Sequence, residues 1–162
     1  MRNLIFSFFV FMVACNGNAD KHPVKNDAIK NGIEIYEDGL QVQQAFLTNG
    51  DSSMIDEQNK VYVGERVCLR LVVNGWQEEK GKVFMDASQK VTTASGALLT
   101  ENASIFGISL MLGTLPDDAH HMLLYQTIGR LDKPADYMLI SFKVWDKTSK
   151  KSLSGSYKLY MQ

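Results

Sequence analysis

Residues 138–161 read MLISFKVWDKTSKKSLSGSYKLYM, two alternating runs around a polar joint. Met138, Ile140, Phe142 and Val144 alternate with Leu139, Ser141, Lys143 and Trp145. A period of two sends successive side chains to opposite faces of a strand. Residues 146–152, DKTSKKS, are the joint; Leu153, Gly155, Tyr157, Leu159 and Met161 then share the second run with Ser154, Ser156, Lys158 and Tyr160. The runs are expected to pair as an antiparallel hairpin, with an apolar face inward and Lys143, Ser154, Ser156 and Lys158 outward. One covered and one wet face is what a layer of a sandwich requires.

The same period recurs upstream. Val61, Val63, Val67, Leu69, Leu71 and Val73 all fall on odd positions, with a bend or bulge expected at Gly64-Glu65 and a turn at Asn74-Gly75. Cys68 falls on the opposite face, as a small, semi-buried apolar residue. Ile33 and Ile35, residues 40–47, then Val83, Met85 and Ala87, and then Met122, Leu124, Gln126 and Ile128 give further strand signals. Residues 88–95 are mostly polar, and Pro116-Asp117-Asp118 reads as a turn. No long segment has a helical period, and turns recur about every ten residues. The expected fold is all-β: a single antiparallel β-sandwich over residues 33–162.

The tail, Tyr137-Met138-Leu139 leading to Val144-Trp145-Asp146 and then Leu153 and Tyr157, resembles the last two strands of immunoglobulin-like domains in bacterial envelope proteins. The resemblance covers about the last 40 residues and lacks the Cys–Trp–Cys pattern of antibody domains. It implies an immunoglobulin-like sandwich.

The other end carries an address. Residues 1–14, MRNLIFSFFVFMVA, place Arg2 before an apolar run of about ten residues, the form of a signal peptide and too short to span a bilayer core. Met12-Val13-Ala14-Cys15 resembles the lipobox of bacterial lipoproteins, with Met12 where Leu is usual. The resemblance implies cleavage by signal peptidase II before Cys15 and acyl chains on that cysteine. Each buried CH₂ would contribute roughly 0.8 kcal/mol, so several chains give stable membrane attachment. The alternative is an ordinary secretory leader cut near Ala14 or Ala19. Asn16, where enterobacterial lipoproteins retained in the inner membrane carry Asp, points by analogy to the outer membrane. Bacteroidota lipoproteins displayed at the surface carry an acidic cluster after the cysteine; Asp20 is the single acid here, which leaves a periplasm-facing and a surface position both open. Residues 15–32 are expected to be the lipidated cysteine and a flexible linker, spanning roughly 20–25 Å as a coil.

The 162 residues carry 45% apolar and 22% charged side chains, which suits one globular domain. The net charge is −1, or −2 without the leader's Arg2, and this near-neutral balance argues against nucleic-acid binding. Of the two cysteines, lipidation of Cys15 leaves Cys68 without an intrachain partner, so no disulfide is expected.

Candidate chemistry is sparse. Asp117, Asp118, His120 and His121 form the densest titratable cluster, but adjacent histidines on a strand face opposite ways and no third metal ligand is evident. Asn49-Gly50-Asp51 is a turn without the glycine spacing of a phosphate loop or the ligand spacing of an EF-hand. No Gly-x-Ser-x-Gly occurs. No enzyme activity and no cofactor are expected. Aromatics on wet positions are the stronger lead: Trp76 in a loop, Trp145, Tyr160 and also Tyr137. The expected function is a lipid-anchored, non-enzymatic envelope module that binds a protein or glycan partner. One alternative is an assembly subunit pairing through an edge strand. The other is a metal protein or enzyme using His120 or His121.

Overall fold

The computed structural model describes residues 22–107, 111–130 and 137–162. The leader and Cys15 lie outside the described residues. The elements are β1 (Glu34–Asp38), β2 (Gln41–Asn49), β3 (Lys60–Val61), β4 (Arg66–Asn74), β5 (Glu78–Glu79), β6 (Lys82–Val83), β7 (Met85–Thr93), β8 (Leu98–Asn102), α1 (Pro116–His120), β9 (His121–Thr127), β10 (Met138–Asp146) and β11 (Ser152–Met161). They form an all-β antiparallel sandwich. The larger sheet runs β1-β11-β10-β7-β8, with β3 parallel to the end of β11; the smaller runs β2-β4-β9; β5 and β6 form a separate hairpin.

The hairpin that opened the sequence is at the heart of the larger sheet. Met138 pairs with Leu159, Ile140 with Tyr157, Phe142 with Gly155 and Val144 with Leu153, and all but the glycine are buried side chains. From the facing sheet come Val42, Ala45, Leu47, Val67, Leu69, Leu71, Val73, Met122 and Leu124, in the same continuous core. Gly155 is required by this packing. A Cβ there would collide with the Glu34 carbonyl oxygen and stand 2.6 Å from the Phe142 ring.

Several expectations are corrected. Val63 is exposed, unlike Val61, because the chain turns after β3: Glu65 N–H donates to Tyr62 O, and Gly64 N–H to Ile128 O. Residues 88–93, though mostly polar, belong to β7, which extends the expected strand at Val83, Met85 and Ala87. Ser88, Lys90 and Thr92 face outward, while Gln89 takes an inward place opposite Phe142 and hides the period. Pro116-Asp117-Asp118 is not a turn but the start of the short helix α1. Residues 24–32 are not a free linker. Val24 N–H donates to Ile35 O (2.8 Å), Lys30 N–H to Ala45 O (2.8 Å), and Ala45 N–H to Ala28 O (3.2 Å). Asn31, buried at 4% exposure, accepts from Leu47 N–H (2.9 Å) and donates to Ile55 O, Asp56 O and Asn59 Oδ1. Backbone pairing and one buried amide hold this strap, and neither leaves an apolar period in the sequence.

Candidate partner-binding site

The outward register of β11 sets Ser156, Lys158 and Tyr160 in line on the wet face of the larger sheet, with Glu34 and Ser141 opposite Ser156. At the end of β11 the loop before β3 folds onto the strand. Asn59 causes this: its φ is 54°, and its side-chain amide donates to Asn31 O (2.8 Å) and Lys158 O (2.9 Å). Tyr160 N–H returns a bond to Asn59 O (2.9 Å). The result is a groove of about 460 Å³ between Asn31, Gly32, Glu57 and Asn59 on one side and Leu139, Lys158 and Tyr160 on the other. Its volume falls within the ~300–1,000 Å³ of small-ligand pockets.

Tyr160 lines the groove and pairs with a second ring beside it. Tyr160, 39% exposed, meets Tyr137 edge to face at 6.1 Å between centroids. The Lys158 ammonium stands 4.5 Å from the centre of the Tyr137 ring, in cation–π contact with it. Among the described residues, Glu34, Glu57 and the Ser156 hydroxyl make no side-chain hydrogen bond or ion pair, which leaves their acceptor capacity unspent there.

No protein-family model and no curated protein matches the chain.

Among solved structures the chain is similar to the crystal structure of the C-terminal domain of wzt, at a TM-score of 0.49 and 12% identity, over 83% of this chain and 81% of that one.

The other aromatic candidates lie elsewhere. Trp145 is half-buried at the far end of β10 from Leu139, between Asp86 and Ser152 across the sheet. Trp76 is not an exposed loop residue: it packs against the core, and its indole N–H is buried without a partner among the described residues. Trp76 shares a second cleft with Asp117 and His120, while Asp118 and His121 are exposed outside it. The two imidazoles stack edge to face at 4.8 Å, and His120 Nδ1 lies 3.0 Å from Val73 O. Among the described residues, no three of His, Cys, Asp and Glu converge as metal ligands.

Cys68 is buried on the outer face of the smaller sheet. Burial pushes its thiol pKa up, more than Arg70 and the hydrogen bonds of Tyr125 and Thr48 pull it down, which keeps it protonated and unreactive. Sequence reasoning found Tyr160 but missed the groove's other wall. Glu34, Glu57 and Asn59 reach the site through contacts between distant segments, such as Asn59 to Lys158, that no local pattern encodes. The available signal was Asn31-Gly32, a turn dipeptide inside the supposed linker.

Proposed function

We propose that this protein is a lipid-anchored, non-enzymatic module of the bacterial cell envelope, attached through Cys15 to the outer membrane, that binds a protein or glycan partner in the Tyr137–Tyr160 groove. The observation that carries the reading is the groove's composition. Tyr160, paired with Tyr137 beside the groove, supplies apolar contact at low entropy cost, and the Glu34, Glu57 and Ser156 side chains supply polar groups without a partner among the described residues. The lipobox resemblance at Met12-Val13-Ala14-Cys15 supports the address. Two measurements test the two halves separately. Cys15→Ser is expected to release the protein from membranes; retention, with no lipid seen by mass spectrometry, refutes the anchor. Cross-linking in the envelope from a photoreactive residue at Glu57 is expected to capture one partner. Tyr160→Ala should abolish that capture, and unchanged capture removes the groove from the reading.

The second reading, an assembly subunit pairing by an edge strand, is favoured by β9. Its sequence HMLLYQT carries no Lys, Asp or Glu, and Leu123 and Tyr125 are exposed on it. Uncharged exposed edges are templates for pairing. Concentration-dependent association in sedimentation, lost in Leu123→Lys, is its expected signature.

A further inference from the structure

We infer that the Trp76 cleft binds the cationic side chain of a basic peptide segment, holding its guanidinium or ammonium between the Glu78 and Asp117 carboxylates beside the indole. This goes beyond the groove reading and uses separate residues. The cleft, about 330 Å³, lies by the start of β11, whereas the groove lies by its end.

The case rests on which hydrogen-bonding groups are spent. Val73 O can only accept, so His120 Nδ1 donates the hydrogen of their 3.0 Å contact. The Glu78 and Asp117 carboxylates are exposed and, among the described residues, have neither a side-chain hydrogen bond nor an ion pair. The uncommitted charged groups at the rim are therefore two carboxylates. The chain's own nearby cations do not fill the place. The Lys151 ammonium is committed to Gly75 O at 2.6 Å, and Lys82 lies across the β5–β6 hairpin from Glu79. Trp76 offers a π face for a cation, and Pro116 offers apolar surface for the aliphatic stem that carries it. A positively charged ligand with an apolar stem matches these features, and an anion would be repelled by both carboxylates.

The full chain carries two tryptophans, so a Trp145→Phe background leaves Trp76 as the one indole reporter. Titration with a tetra-arginine peptide is expected to change its emission saturably, and an equimolar tetraserine peptide is not. Glu78→Gln with Asp117→Asn should weaken binding by about tenfold or more, and added salt should weaken it in the parent. Both carboxylates are exposed and unbonded, so the double variant is expected to keep the parent's circular dichroism spectrum. Tyr160→Ala should leave this binding unchanged, which separates it from the groove. Absence of saturable binding, equal affinity in the double variant, or equal binding of tetraserine overturns the proposal. So does a saturable response to calcium or zinc alone with none to the peptide.

Discussion

The two flanks of the sandwich end their sheets in different ways. On one flank, β1 and β2 are sealed by residues 24–32: Val24 pairs with the β1 edge, residues 28–30 pair with Ala45 of β2, and Asn31 closes the top. On the other flank, β8 and β9 each have a sheet neighbour on one side only among the described residues. Every residue of β8 is exposed, and a cleft of about 290 Å³ opens beside Leu99, Thr100, Gln126 and Ile128. The core is continuous behind both flanks. What differs is whether the edge backbone is paired. Pairing here is done by polar, aperiodic residues, so apolar patterning is blind to it.

The sealed flank is the one to break first. Asn31→Ala removes one buried acceptor and three donor contacts and is expected to cost about 2–4 kcal/mol in urea unfolding. Exchange of the Lys30, Ala45 and Leu47 amides should accelerate with it; unchanged exchange would mean that the strap holds without Asn31. Gly155→Ala strikes the β1–β11 pairing itself. It should cost about 1–3 kcal/mol, because Glu34 O and Phe142 must give way to the new methyl.

Acid should loosen one end of the larger sheet, where Asp86 of β7 and Asp146 of β10 stand at neighbouring register positions. For Asp86 and for Asp146, burial alone would raise the carboxyl pKa, but the hydrogen bonds outweigh it. Asp86 accepts from Ser104, Ala87 and Phe106, and Asp146 from Gln77, Thr148 and Ser149, so both pKa values are lowered. A lowered folded pKa gives stability that is complete above the unfolded value of about 4 and is lost as pH falls through the folded value. Urea midpoints should therefore not reflect these two groups above about pH 5 and should fall below about pH 4. The fall should be shallower in Asp146→Asn, and an equally steep fall there would assign it to other groups.

Smaller effects belong to the core and the open flank. The Tyr157 hydroxyl is buried with no hydrogen-bond partner among the described residues, so Tyr157→Phe should leave stability unchanged or raise it by up to about 1 kcal/mol in thermal unfolding. A clear loss would reveal a partner for the hydroxyl. On β8, replacing Leu98 and Leu99 by Ser should shift stability by no more than about 0.5 kcal/mol. A larger cost would show the open flank to be covered.

The sequence made the sandwich legible where one face is wholly apolar. β4, β9, β10 and β11 each present a clean period of two, and their registers follow from it. β7 blurred because Gln89 occupies a core position, its amide nitrogen buried without a hydrogen bond among the described residues. The strap disappeared from view because its two partly buried apolar residues, Val24 and Ile29, are too far apart to form a pattern. At the groove, strand alternation predicted the outward Tyr160, but Glu34, Glu57 and Asn59 are gathered by tertiary hydrogen bonds. Trp76 was misplaced on the surface because a residue beside a Gly turn can still fold back onto the core.

The strap has a mechanical meaning as well. Chain entering from the N-terminal side meets Val24 on β1, then residues 28–30 running parallel to β2, and then Asn31 clasped to four separate groups before β1 begins. A pull arriving through that end loads these bonds before it reaches β1. Were the sandwich held from its N-terminal side, as proposed above, the strap would serve as a strain relief that peels before a sheet tears.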